Sequence, residues 1–179
     1  LPPSSCWQRV AVRLGRGAVS ELRAGVVTVS DSVAAGSAED RSGPAAVRRL
    51  ENAGFTVVEA TVVPDGVQPV AAELQRLAKT VDLIVTTGGT GLGPRDLTPE
   101  ATTTVIDRPV PGIPEALRAA TFGRVPFGML SRGIAGVAGR CLIVNLPGST
   151  KAVEEGFDVL EDVLDHAVDV ASGNFGRHG

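Results

Sequence analysis

From residue 25 onward the chain alternates short β-branched runs with helix-length amphipathic segments, and the runs end in clusters of Gly, Pro, Ser and Asp. That rhythm predicts βα units and a parallel sheet, since a strand buried on both faces needs no polar alternation and each crossover needs a helix. Val26-Val27-Thr28-Val29 predicts a first strand ending in Ser30-Asp31-Ser32. A Gly/Ser/Ala-rich loop follows, and Pro44 fits the first turn of a helix reaching about Asn52, closed by Gly54. Phe55 to Val63 predicts the second strand, Val70, Leu74 and Leu77 the next helix, and Val81 to Thr87 the third strand. Beyond the Gly88–Gly93 loop, Thr98 is placed as an N-cap, with Pro99 at N1 and a helix through Val105. Pro114-Glu115 opens a helix through Leu117 and Ala120. Residues 129–146 predict two strands around Gly136–Gly139, the second carrying Cys141 to Val144. One last helix follows Pro147-Gly148-Ser149, with Val153, Phe157, Leu160, Leu164, Ala167 and Ala171 as its apolar stripe.

A length of 179 residues suits one domain. No run approaches the ~18 consecutive apolar residues of a membrane span, and the first residues lack the apolar core of a secretory signal. The formal net charge of -3 and an aromatic content of 3% argue against a nucleic-acid partner, which needs a basic face or stacking platforms. Two His and two Cys leave no His- or Cys-rich zinc site and no disulfide framework. A reducing, cytoplasmic setting is expected.

In an open parallel sheet, ligands bind beyond the carboxyl ends of the strands. Ser30-Asp31-Ser32, Pro64-Asp65, Gly88–Asp96 and Pro147-Gly148-Ser149 each follow a predicted strand. Any one of them is explained by the needs of a turn; four together point to one crevice. The Gly88-Gly89-Thr90-Gly91 run allows positive φ and close approach of backbone amides to an anion, although a plain tight turn also fits it. It lacks both the Lys-Ser/Thr ending of a P-loop and the spacing of a dinucleotide fingerprint. Asp65 and Asp96 flank this loop, and two carboxylates beside bound phosphate call for a shared cation, usually Mg²⁺. Read locally, Asp65 equally fits a Pro-Asp-Gly turn, and Asp96 a helix-entry charge. Arg95, Arg132 and Lys151 are the cations nearest the clusters. His166 and His178 fall in the last helix and the tail, so no nucleophile has an obvious base. Cys141 reads as a core thiol. Phosphoryl or nucleotidyl transfer to an already ionised phosphate suits such a site.

Residues from about 24 to 172 resemble the Mog/MoaB-type molybdopterin adenylyltransferases, a family that includes the gephyrin G domain. The match rests on Thr28-Val29-Ser30-Asp31, Asp40-Arg41-Ser42-Gly43, Val63-Pro64-Asp65, Thr86-Thr87-Gly88-Gly89-Thr90-Gly91, Arg95-Asp96-Leu97-Thr98-Pro99-Glu100, Leu130-Ser131-Arg132 and Asn145-Leu146-Pro147-Gly148-Ser149. Their order and spacing are specific to it; Ser32 and Thr150 depart from its common pattern. The resemblance implies an α/β three-layer sandwich with a mostly parallel central sheet, residues 1–23 being an extension and 173–179 a tail. It implies a homotrimer that uses Mg²⁺, ATP and molybdopterin to form adenylyl-molybdopterin and pyrophosphate, compatible with hand-over to a molybdenum-insertion enzyme. By motif, Asp65 and Asp96 become the catalytic and metal-binding pair. Ser30, Asp31, Gly88, Gly89, Thr90, Gly91 and Thr98 become nucleotide and phosphate contacts, and Ser131, Arg132, Pro147, Gly148 and Ser149 line the pterin and phosphate side. A non-catalytic molybdopterin carrier of the same fold is the alternative; an NAD- or flavin-dependent oxidoreductase has the missing fingerprint against it.

Overall fold

A computed structural model of the chain describes residues 21–173, and the readings made for residues 1–20 and 174–179 lie outside them. Six strands form one sheet in the order β2-β1-β3-β6-β5-β4. β1 (Arg23–Val29), β2 (Thr56–Val63), β3 (Leu83–Thr87) and β6 (Cys141–Leu146) run parallel, while β5 (Ala135–Ala138) and the two-residue β4 (Arg108–Pro109) complete an antiparallel edge. The mostly parallel sheet expected from the sequence is therefore present. β5 and β6 are the two strands expected within residues 129–146, while the two-residue β4 carries too little pattern to be separated from loop by periodicity alone.

Helices cover both faces. α2 (Ser42–Asn52), α6 (Thr150–Leu160) and α7 (Leu164–Ser172) pack Leu50, Val153, Phe157, Leu160, Leu164 and Val168 against Leu83, Val85, Leu142 and Val144. On the opposite face α3 (Val67–Leu77) and α4 (Thr98–Thr103) set Val70, Leu74, Leu77 and Ala101 against Val27, Ile84 and Ile143. Alternate residues of β3 and β6 thus feed opposite cores, which is why these strands read as unbroken apolar runs. α5 (Gly112–Thr121) stands beside α6, and a 3₁₀ turn (Pro126–Leu130) packs on α5. Among the described residues no helix is long and apolar enough to cross a membrane.

Two local expectations are corrected. The single final helix is two helices separated by residues 161–163. Leu160 and Leu164 keep the i, i+4 stripe continuous across the break, and no Gly or Pro marks it, so periodicity alone could not see it. Thr98 is the first residue of α4 rather than its cap, which is Leu97. Its hydroxyl is drawn instead to a loop carbonyl, described below. The loop after β1 also holds a helical turn, α1 (Asp31–Ala34), which Ser30 caps by accepting the Val33 N–H.

Candidate active site

The parallel register aligns Val29 with Val63, Thr28 with Thr87, and Thr87 with Leu146. All four strand-end clusters therefore meet at one end of the sheet. The chain leaves β1 for β2 on one side and returns to β3 on the other, so the crevice opens at the switch point where α/β sheets bind ligands. It has a volume of about 1030 Å³ and runs from the glycine loop to the wall made by α5, the 3₁₀ turn and α6.

The glycine loop lies at its floor. Gly88 has φ +94° and Gly89 φ +63°, a region open to glycine at little cost. A Cβ at Gly88 would stand 2.3 Å from the Val29 carbonyl oxygen, and one at Gly89 2.2 Å from Thr98 Oγ1. The loop is held from below. Gly88 N–H donates to the Leu146 carbonyl at 3.0 Å, Thr98 Oγ1 donates to the Gly88 carbonyl at 3.0 Å, and Thr98 N–H donates to the Gly89 carbonyl at 3.1 Å. Gly148 packs on Gly88, a Cβ there falling 3.1 Å from the Gly88 Cα. The carbonyls of the loop are thereby paired inside the protein. The N–H groups of Gly89, Thr90 and Gly91 have no protein acceptor among the described residues. Successive unpaired amides in a glycine turn form an anion-binding concavity.

One carboxylate stands on each side. Asp65 Oδ1 is 3.1 Å from where a Cβ at Gly89 would sit, and its Oδ2 accepts the Asp31 N–H at 2.8 Å. Asp96 Oδ2 accepts the Gly93 N–H at 2.9 Å and lies 2.8 Å from where a Cβ at Gly91 would sit. Each keeps one oxygen without a protein hydrogen bond among the described residues. Among the described residues, no three His, Cys, Asp or Glu side chains group as a metal cage. Two carboxylates offering oxygen alone, beside a row of unpaired amides, have the donor chemistry that would suit a hard cation such as Mg²⁺.

Of the residues singled out in the sequence, Ser30, Asp65, Gly88, Gly89, Thr90, Gly91, Asp96, Ser131, Pro147, Gly148 and Ser149 line the crevice. Asp31, Thr98 and Arg132 stand behind it. Arg132 Nε donates to the Gly91 carbonyl at 2.8 Å, Nη2 to the Asp96 carbonyl and Nη1 to Glu100, while its N–H donates to the Thr90 carbonyl at 2.8 Å. The Arg132 guanidinium beside it holds the Glu100 carboxyl below the usual carboxylate range. Arg132 is thus a strut under the loop, and Arg95, though exposed, is likewise committed to protein partners, Asp31 and the Asp65 carbonyl. Lys151 is exposed, 3.9 Å from Glu155.

The crevice adds residues the sequence reading left out of the site. Asp40 Oδ2 accepts the Thr28 hydroxyl at 2.7 Å and Oδ1 accepts the Gly43 N–H at 2.9 Å, ordering the start of α2. Arg41, Arg118 and Arg124 supply the lining cations, and Phe127 and Leu130 an apolar wall. Asp40 and Arg41 lie in a motif the sequence analysis quotes, whereas Arg118 on α5 and Arg124 just beyond it carry no sequence signal and reach the crevice only through the packing of α5.

A doubly covered, mostly parallel sheet with a row of unpaired amides and two carboxylates at its switch point defines an α/β protein with a ligand-sized crevice at the carboxyl ends of its strands. Residues 25–166 match the family described as "Probable molybdopterin binding domain", and the chain belongs to that family. It is 41% identical over 174 residues to the molybdenum cofactor biosynthesis bifunctional protein of Synechococcus elongatus, covering 95% of this chain and 54% of that one. The chain thus spans about half the length of the first bifunctional relatives it matches. It is 36% identical over 165 residues to the molybdopterin adenylyltransferase of Escherichia coli, covering 90% of this chain and 80% of the relative. The molybdopterin biosynthesis Mog protein of Mycobacterium ulcerans superposes with a TM-score of 0.81 at 44% identity, over 87% of this chain and 99% of that structure.

Proposed function

We propose that this crevice adenylylates molybdopterin, joining the terminal phosphate of the pterin to the α-phosphorus of ATP. The observation that carries the reading is the amide row of Gly89, Thr90 and Gly91 with one free carboxylate oxygen on each side. The amides receive phosphate oxygens, and Asp65 and Asp96 hold Mg²⁺. The metal neutralises charge on the phosphates when bound. The attacking phosphate oxygen forms the new bond to the α-phosphorus, the bond from that phosphorus to the bridging α–β oxygen breaks, and pyrophosphate leaves with the electron pair. The nucleophile arrives ionised, so no side chain has to remove a proton, in keeping with a crevice that no His lines among the described residues. What remains for the protein is alignment and charge compensation, the main contributions to phosphoryl-group transfer.

Ser30 and the β1 end are assigned to the nucleotide, and Ser131, Pro147, Gly148 and Ser149 to the pterin. Ser149 Oγ also caps α6 by accepting the Ala152 N–H at 3.1 Å, so it reaches the ligand from a fixed position. In this reading the protein is a cytoplasmic homotrimer that passes its product to a molybdenum-insertion enzyme; a solution mass of three chains tests the trimer.

Asp96→Asn is the direct test. It should abolish pyrophosphate release from ATP and molybdopterin while leaving molybdopterin binding intact. Unchanged turnover would remove Asp96 from the reaction, and tight pterin binding by the wild type without any turnover would make the protein a carrier.

A further inference from the structure

The motif places Asp31 among the nucleotide contacts, yet both of its carboxylate oxygens are engaged within the protein. Oδ1 accepts Arg95 Nη2 at 2.8 Å and the Asp65 N–H at 3.1 Å, and Oδ2 accepts Arg95 Nε at 2.9 Å. The same Nη2 donates to the Asp65 carbonyl at 2.8 Å, and the Asp31 N–H donates back to Asp65 Oδ2 at 2.8 Å. A closed ring therefore ties the loop after β1, the loop after β2 and the exit of the glycine loop. Asp65 is gripped at its N–H, its carbonyl and one carboxylate oxygen, so only Oδ1 is left to act. Arg95 is also the neighbour of Asp96 in the chain, so its anchoring fixes the backbone that carries the second carboxylate.

Stability is a weak explanation for this ring. The side chains of Arg95 and Asp31 are 63% and 47% exposed, and ion pairs so open to water and salt add little to stability. Its stronger consequence is geometric. A planar guanidinium makes the bidentate grip and the third bond together, which an ammonium cannot do.

We propose that Arg95 and Asp31 are positioning residues that hold the Asp65 carboxylate against the glycine loop at a fixed spacing from Asp96, so that one divalent cation is shared between the two. They contact neither substrate. The inference rests on the adenylyl-transfer reading, and it deepens that reading by separating the acidic residue that presents an oxygen from the one that only orients it.

The test compares wild type, Arg95→Lys, Arg95→Gln and Asp31→Asn, with Asp65→Asn as control. Mn²⁺ binding is followed by electron paramagnetic resonance in the presence of the α,β-methylene analogue of ATP, alongside kcat and KM. Loss of an outer residue that orients a metal ligand typically weakens metal affinity about 10- to 100-fold. Arg95→Lys, Arg95→Gln and Asp31→Asn should all weaken Mn²⁺ binding in that range and lower kcat. The KM for ATP and metal-free affinity for the analogue should stay within about twofold of wild type, because no substrate contact is lost. If Arg95→Gln does not fold, Arg95→Lys and Asp31→Asn carry the comparison. Wild-type Mn²⁺ binding in Arg95→Lys, with Arg95→Gln raising KM for ATP, would make Arg95 a phosphate contact and overturn the inference. Unchanged Mn²⁺ binding in all three variants would overturn it too. If wild type itself binds no Mn²⁺ beyond that held by the free analogue, the shared Asp65–Asp96 site fails and the inference fails with it. A loss in the Arg95 and Asp31 variants that Asp65→Asn shares leaves both standing, whereas wild-type Mn²⁺ binding in Asp65→Asn overturns the inference.

Discussion

Thr98 Oγ1 donates a 3.0 Å hydrogen bond to the carbonyl of Gly88 in a fully buried setting. With its N–H on the Gly89 carbonyl, one residue at the start of α4 fixes two consecutive peptide units of the glycine loop. Thr98→Val keeps the shape and removes the donor, leaving a buried carbonyl unpaired at a cost of about 1–3 kcal/mol. Urea unfolding should show that loss. Thr98→Ser should recover most of it, because the hydroxyl rather than the methyl makes the bond.

The loop tolerates no side chain at its turn. Gly89→Ala combines a left-handed residue with a Cβ 2.2 Å from Thr98 Oγ1, so crowding and backbone strain together should cost about 2–5 kcal/mol. Thermal melting should register it, and binding of ATP should weaken as the amides turn out of line. Gly36→Ala is the control. Gly36 also has positive φ, but a Cβ there meets nothing within 4 Å, so only the backbone term should appear.

What the sequence made legible was the order of strands and helices and the positions where they stop. Short uncharged, β-branched runs such as Leu83–Thr87, bounded by Gly and Pro, suit strands buried on both faces, and the turn residues that follow parallel strands share one end of the sheet. Partners across long separations were invisible. Nothing local to Arg132 shows that it braces the carbonyls of Gly91 and Asp96 from 41 and 36 residues away, so it read as a ligand rather than a strut. The Arg95–Asp31 pair, separated by 64 residues, was hidden for the same reason. Asp65 and Asp96 were nameable because each follows a strand end, whereas Arg118 and Arg124 depended on how α5 packs beside α6.

The Arg132–Glu100 strut sets a pH dependence. The Glu100 carboxyl is held below its ordinary value chiefly by its hydrogen bond to Arg132. A depressed carboxylate stabilises the fold fully above its unfolded pKa of about 4.3, and the contribution disappears as pH falls through the folded value. The difference in Tm between wild type and Glu100→Gln should therefore be constant from about pH 6 to 9 and shrink below about pH 4. A difference that grows on acidification would contradict the assignment.

Cys141 should be inert in the native protein. It is 1% exposed on β6, and burial pushes its thiol up to about 12. At pH 8 almost none is thiolate, the reactive form. Peptide mapping after treatment with an alkylating reagent should find Cys141 unmodified in the native protein and modified in urea. Cys141→Ser should leave turnover unchanged while lowering stability, since a hydroxyl replaces a packed thiol in an apolar strand.

Adenylyl transfer itself is tested most directly by following label from ATP carrying radioactive phosphorus at the α position, with molybdopterin and Mg²⁺ present. Adenylylation predicts that label enters the pterin in step with release of unlabelled pyrophosphate, and that Asp65→Asn and Asp96→Asn lose both signals together. Label retained in ATP despite saturating molybdopterin binding, or appearing in ADP, would contradict the account.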